Sequence, residues 1–249
     1  MKPDEVIPFE LQLMSDASGY QENVLNLVRP FIGNRVLEVG AGIGNLSVRL
    51  PLREKLIFSE ADDKLIAHLR MRAEQEFSND PRVQVRKIDL ESDWSTSFES
   101  DNLDTVISFN VLEHVRDDGL ALRQMIKLLR VSTAKQPKRV VVFVPAHQWA
   151  FGEIDQSFGH YRRYSVRPVS RLLRELSPHL KVEYQYFNLL GLIGWFCKGK
   201  LFRSKNIGPG TVRIYERILP LVSAIDFIAY KILKIPAGQS LLFVISLND

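Results

Sequence analysis

A single cysteine, Cys197, stands in 249 residues, which excludes an internal disulfide framework and any zinc site built from several thiolates. No stretch of about 18 uninterrupted apolar residues occurs, so no membrane-spanning helix is expected. The N-terminus MKPDEVIPFELQLM carries acids where a secretory leader would be apolar, and cytoplasmic residence is the expectation. Blocks of Lys/Arg, internal repeats and low-complexity tracts are absent, and the formal net charge is only +4. These absences set nucleic acid aside as a partner. One large α/β domain, alone or with an insertion, is the simplest use of this length.

From residue 34 an apolar run, a turn and a helical stretch recur at the short spacing of βαβ units, the pattern of a mostly parallel sheet. Strands are predicted at 35–39, 56–60, 83–88, 105–109 and the β-branched run 140–144. A helix is predicted to open at 45–50, and Leu65, Leu69 and Arg72 mark an amphipathic one after the second strand. Two later strands fall at 182–187 and 241–247, and the roughly fifty residues between them are too many for a plain connection. The expectation is an α/β, Rossmann-like, seven-stranded and mostly parallel sheet with helices on both faces. An N-terminal helical cap is expected over 1–33, with a mobile start and a helix at 21–28. The core covers 34–187, a helical insertion 188–240, and the final core strand 241–249.

The first strand runs into Glu38-Val39-Gly40-Ala41-Gly42-Ile43-Gly44. Glycines here let the chain turn sharply and let a ligand approach the backbone. A dinucleotide site asks for G-x-G-x-x-G with a pyrophosphate at the helix N-terminus. Here an acid stands two residues before the first glycine; it repels phosphate and suits a cation, by direct contact or by fixing the loop. Glu60 ends the second strand and Asp89 follows the third. The first can accept from both ribose hydroxyls, each charged hydrogen bond contributing roughly 1.5–3 kcal/mol, and the second can accept from an adenine amino group. The fourth strand ends in Phe109-Asn110-Val111-Leu112-Glu113-His114, where Asn110 can bond the amino-acid portion of a cofactor.

RVLEVGAGIGNLS, Glu60, KIDL and FNVLEHV together resemble the class I S-adenosylmethionine (SAM)-dependent methyltransferase family over about residues 20–150. In that family the glycines lie under the cofactor, the strand-two acid binds ribose and an acid like Asp89 reads adenine. The resemblance implies SAM as cofactor. It places Tyr20, Glu38, Gly40, Ala41, Gly42, Gly44, Glu60, Ala61, Asp89, Leu90, Asn110 and Val111 around it. Glu60 stands where Asp is more common, which lengthens the reach.

A sulfonium donor is already activated, so such an enzyme chiefly aligns the acceptor, an effect that can supply about 7–11 kcal/mol. A base is needed only for a protonated acceptor. The segment FVPAHQWAFGEIDQSFGHYRRYS concentrates polar, basic and aromatic groups after the fifth strand. It is similar to a bacterial subgroup of these methyltransferases with a GHxRRY-like signature, often found beside glycosyltransferases of surface-polysaccharide or lipid-linked sugar pathways. His147 and His160 are the candidate bases. Candidate acceptor contacts are His114, Trp149, Asp155, Tyr161, Arg162, Arg163, Tyr164 and Trp195, with Arg162 or Arg163 suited to an anionic group. A second reading stays open, in which Asp155, His160 and the arginines form a structural network that locks a lid. Glu113 is expected to cap or pair locally. Some family members with a similar LEH stretch hold a divalent cation, but they carry an additional acid where this chain has Asn110, and no metal is expected.

In the insertion, the apolar stretch 188–196 is followed by Lys198, Lys200, Arg203 and Lys205. It suits either a peripheral contact with an anionic bilayer through 188–205 or a buried helix with a solvated end. The expected acceptor is a small molecule, saccharide or lipid-linked species, with O-methylation preferred. A catalytically silent SAM-binding accessory protein and an NAD or sugar-nucleotide enzyme are the alternatives. Neither the acceptor's identity nor the oligomeric state follows from these residues.

Overall fold

A computed structural model describes residues 7–135, 137–205 and 208–247; the mobile start expected at the N-terminus lies, for residues 1–6, outside the described residues. Seven strands form one sheet: β1 (Arg35–Val39), β2 (Lys55–Glu60), β3 (Val83–Lys87), β4 (Thr105–Phe109), β5 (Lys138–Pro145), β6 (Lys181–Phe187) and β7 (Ser240–Leu247). Their order is β3-β2-β1-β4-β5-β7-β6. The first five pair in parallel, and β7 runs antiparallel between β5 and β6. The sheet is thus seven-stranded and mostly parallel, as its apolar runs imply.

Strand alternation divides the interior into two cores, one on each face of the sheet. Leu37, Val39, Val140, Val142 and Val144 face one side, where they meet Leu122, Met125 and Leu129 of α4 (Asp118–Val131) and Val169 and Leu173 of α6 (Val166–Leu176). Val36, Phe58, Val141 and Phe143 face the other, against Val24, Leu25 and Val28 of α2 (Ser18–Val28) and Leu69 of α3 (Asp63–Phe77). A strand with branched apolar residues on both faces suits only a position covered on both sides, and β5 is buried almost throughout.

Two local expectations are corrected. No α-helix follows β1; residues 47–49 make a single 3-10 turn, and Leu50 is extended at φ −68°, ψ 143°. Pro51 is the reason, because its ring disfavours helical geometry in the residue before it. In α3 the buried stripe is Ile66, Leu69 and Ala73, spaced three and four apart on one face. Leu65 and Arg72 flank it, and the Arg72 guanidinium turns out to donate to the Ile43 carbonyl and Asn45 Oδ1. Asp62 caps the same helix, accepting from the Lys64 and Leu65 amides.

Near the N-terminus the helix expected at 21–28 starts at Ser18, and a further one, α1 (Phe9–Ser15), precedes it. After β5 comes the short α5 (Glu153–Ser157). Between β6 and β7 the chain runs through α7 (Leu189–Trp195), a π-helical segment at 196–201, α8 (Pro209–Arg217), α9 (Leu219–Phe227) and a second π-helical turn at 228–232. Two acids fasten these helices. Glu216 accepts from the Gly19 and Tyr20 amides at the start of α2, and Asp226 from the Asn188 and Leu189 amides at the start of α7. Among the described residues no helix is long and apolar enough to cross a membrane.

Candidate active site

The order of the parallel strands changes direction between β1 and β4, and a crevice at the carboxyl ends of such strands is where α/β sheets take ligands. The loop after β1 holds Gly40, Gly42 and Gly44 at φ 71°, 58° and 84°, a region that L side chains avoid. A Cβ on Gly40 would lie 2.5 Å from a Val111 methyl, so the loop rests directly on the segment after β4. Glu60 at the end of β2 reaches back to it. Its Oε2 accepts from the Gly42 amide at 2.8 Å, and its Oε1 from the amides of Ala61 and Asp62. A carboxylate has about four acceptor positions, so this bonding leaves capacity for a ligand hydroxyl.

Glu38 lies beneath the loop. It is buried, its Oε2 has no hydrogen-bond partner among the described residues, and burial pushes its pKa up to about 8, with Ser47 lowering it and Glu60 adding to the rise. A cationic ligand above the loop would favour the charged carboxylate. Asp89 is exposed just past β3, with Leu90 buried beside it. Asn110 is exposed at φ 52°, its amide bonded to the Phe143 carbonyl. Burial pushes the Tyr20 hydroxyl up to about 12, with Ser240 lowering it and Glu113 adding to the rise; the ring packs against Phe187 and Tyr215. These positions surround one crevice with an orphaned acid, a loop open to close approach and a chain of acceptors, and that donor and acceptor set fits SAM. Leu11 of α1 packs over Gly42, and the Leu11 carbonyl accepts from Asn45, a contact with no periodic signal in the sequence.

Further along the strand ends, the segment 159–164 lies across the ends of β4 and β5. The Tyr164 amide donates to the Pro145 carbonyl and its own carbonyl accepts from the His147 amide. Asp155, fully buried, is the hub. Its Oδ1 accepts from Arg163 Nε at 2.7 Å and pairs with His160 Nδ1 at 2.8 Å; its Oδ2 accepts from the Gly152 amide and from Trp195 Nε1. Burial alone would raise the Asp155 carboxyl, but His160 and Arg163 outweigh it and hold the pKa low. The Arg163 guanidinium also donates to the Ala146 carbonyl and stacks 4.7 Å from the Trp195 ring.

Asp155, Arg163 and Tyr164 are therefore interior, with the Tyr164 hydroxyl donating to Asp118. Arg162 is partly exposed, paired with Asp118 and bonded to the Arg116 carbonyl. Tyr161 and Trp149 are exposed at the rim. His147 is buried at φ 63°, stacks on Tyr186, and accepts through Nε2 from the Gly238 amide at 3.3 Å. His114 is exposed, its ring edge-on to that of His160 with centroids 4.8 Å apart.

The expectation that Glu113 caps or pairs locally is corrected: its side chain is fully buried and neither oxygen meets a partner among the described residues. Its backbone carbonyl, in contrast, accepts from the Tyr161 amide at 2.8 Å. The residue that sequence reasoning passed over here is Asp118, which follows β4 closely and gains Arg162 and Tyr164 as neighbours only through the return of the 159–164 segment.

Residues 36–132 match the family model described as a methyltransferase domain. No curated protein matches the chain. Among solved structures, the YcgJ protein of Bacillus subtilis is 15% identical, with a TM-score of 0.58 over 92% of this chain and 99% of that one. A SAM-dependent methyltransferase of Archaeoglobus fulgidus is 15% identical at a TM-score of 0.55, covering 96% and 100%. A phosphoethanolamine N-methyltransferase of Haemonchus contortus, 14% identical at 0.57, covers 98% of this chain and 59% of its own. At these identities the structures speak for the fold. The matched methyltransferase domain supports SAM-dependent methyl transfer as the chain's activity, and the cradle formed by the loop 40–44 with Glu38 and Glu60 suits that cofactor.

Proposed function

We propose that the enzyme methylates a hydroxyl of a saccharide or lipid-linked acceptor while resting on an anionic membrane surface. The observation that carries this reading is the outward face of the helices between β6 and β7. Leu201 and Phe202 are 66% and 75% exposed, and Ile214, Leu221, Phe227, Ile232 and Leu233 are exposed with them. Lys198, Lys200, Arg203 and Lys205 flank the first pair. Apolar side chains rimmed by basic groups suit the headgroup boundary of an anionic bilayer.

The same layer touches the crevice from within. Trp195 bonds Asp155, Lys200 donates to the Trp149 carbonyl, and Ser157 Oγ donates to the Lys205 carbonyl. An acceptor whose apolar part stays in the bilayer would thus enter past Trp149 and Tyr161. SAM, when bound, supplies the activated methyl group. In this reading Gly40, Ala41, Gly42 and Gly44 support it, Glu60 and Ala61 meet its ribose, Asp89 and Leu90 its adenine, and Asn110, Val111 and Tyr20 its amino-acid end. Glu38 favours its positive charge. Trp149, Tyr161, Arg162 and His114 line the acceptor's approach, while Asp155, Arg163, Tyr164 and Trp195 hold that wall in place. Of the two candidate bases, His147 has its Nε2 occupied by Gly238, whereas His160 has only Nδ1 engaged. His160 is therefore the histidine with a ring nitrogen left for the acceptor side.

Co-sedimentation with phosphatidylglycerol-rich vesicles at low salt tests the membrane part. Binding is expected, reduced at least about tenfold in Leu201→Ser/Phe202→Ser, because two buried side chains contribute roughly 1.5–3 kcal/mol each. Equal sedimentation with neutral and anionic vesicles, or an unaffected double variant, would remove it. Transfer of labelled methyl from SAM to lipid-linked but not to free saccharides would identify the acceptor class.

A further inference from the structure

We infer that Glu113, His114 and His160 form a binding site for one divalent transition-metal ion on the acceptor side of the crevice. Each of the three offers a ligand atom, and these atoms lie within 4.8 Å of one another. Such a span is what a single ion closes when it draws donors to the roughly 2.0–2.2 Å bond lengths of imidazole nitrogen and carboxylate oxygen.

The independent sign is Glu113. Its side chain is fully buried, yet neither oxygen has a hydrogen-bond partner among the described residues. A buried carboxyl without partners is costly. Arg163 acts on it only through its charge: Nε is given to Asp155 and Nη1 to the Ala146 carbonyl, and the buried Nη2 makes no hydrogen bond to the acid. A cation between Glu113 and the two rings would satisfy the acid directly.

The outer shell is already in place. Asp155 engages His160 Nδ1 at 2.8 Å, which leaves Nε2 as the free nitrogen. A carboxylate that fixes one ring nitrogen while the other binds an ion is the usual support of a metal-ligating histidine. Asp155 is itself held by Arg163, the Gly152 amide and Trp195, so the ring has little freedom to turn. The Tyr161 amide bonded to the Glu113 carbonyl ties the two ligand-bearing segments together.

Two imidazoles and one carboxylate favour zinc, cobalt, manganese or iron over magnesium or calcium, which prefer all-oxygen shells. Three protein ligands leave positions open, and His114 is exposed to the crevice. The site's purpose rests on the methyltransferase reading. An acceptor hydroxyl bound to the ion would lose its proton to water, its oxygen lone pair would form the new C–O bond, and the breaking C–S bond would leave its electron pair on sulfur. His160 would then act on the proton through the ion rather than as a free base.

The test is titration of chelator-treated protein with Co2+ and Zn2+, following the visible cobalt absorption and the calorimetric heat, with SAM titrated on the same sample. One equivalent is expected to bind. Affinity is expected to fall about 100-fold or more in Glu113→Gln and in His114→Ala, the latter altering an exposed residue that the fold tolerates. Asp155→Asn is expected to weaken it about 10- to 100-fold, and His179→Ala, on the exposed surface, to leave it unchanged. Undiminished binding in both Glu113→Gln and His114→Ala, or no saturable binding by the wild-type chain, overturns the site. SAM binding without metal binding would defeat this inference alone, whereas metal binding without SAM binding would instead strike the methyltransferase reading.

Discussion

Asp155 and Glu38 are both carboxylates closed off from water, on opposite sides of one crevice, and their surroundings drive them in opposite directions. Asp155 meets the Arg163 guanidinium, the His160 ring, an indole N–H and a backbone amide, and its pKa is held low. Glu38 has an oxygen with no partner among the described residues and is pushed up to about 8. The contrast separates two uses of burial. A carboxylate supplied with donors is a fixed part of the scaffold, whereas one left short of them is ready for something that arrives with charge. Glu113, also raised to about 8 by burial, stands with Glu38 although it neighbours Asp155.

The comparison breaks most sharply at Asp155. Replacing it with Ala would leave Arg163 buried without its counter-charge, a change that costs about 3–5 kcal/mol. Denaturant unfolding should show that loss; a decrease of less than about 1 kcal/mol would mean the hub is dispensable. On the cofactor side, Glu60→Ala is expected to weaken SAM binding by roughly 10- to 100-fold, the equivalent of about 1.5–3 kcal/mol for a charged hydrogen bond. Calorimetric titration reads it directly, and unchanged affinity would take Glu60 out of the site.

The smallest effect is the one with pH, and its sign is fixed by the raised acids. Folded Glu38 keeps a proton that the unfolded chain gives up near pH 4.5, so stability should fall as pH rises from there towards 8. His114, lowered to about 4 by burial and by His160, and His147, lowered by burial and by Arg163, act in the opposite sense below about pH 6.5, because the unfolded chain then gains their protons. The clean window is therefore pH 6.5–8 in metal-free protein. There each raised acid should lower stability on the order of 1 kcal/mol per pH unit, and Glu38→Gln should flatten the slope. SAM binding should release protons in the same window, and flat stability with no proton release would count against the buried, partner-short acid.

Much of the parallel half of the sheet was legible because its signals are local. Short apolar runs mark Arg35–Val39 and Thr105–Phe109 at their observed ends, and the glycines at 40–44 announce a turn of positive φ. Reading failed where a neighbour overrode the local pattern. The helix expected at 45–50 is cut short by Pro51, and α1 carries no strong amphipathic signal of its own yet packs on Gly42. In 145–164 the polar and aromatic residues of the Asp155 network were visible, but not their company.

What the sequence determined by itself is the set of strands, the glycine loop after the first of them and the acids at the strand ends, because backbone preference and side-chain periodicity act over a few residues. What only the tertiary structure decided is which of those acids acquires partners. Trp195 reaches Asp155 across 40 residues and His160 faces His114 across the ends of separate elements, while the Glu113 carboxyl is enclosed without a hydrogen bond among the described residues. Desolvation and hydrogen bonding are properties of a place in space, and the folding of distant segments onto one crevice is what creates that place.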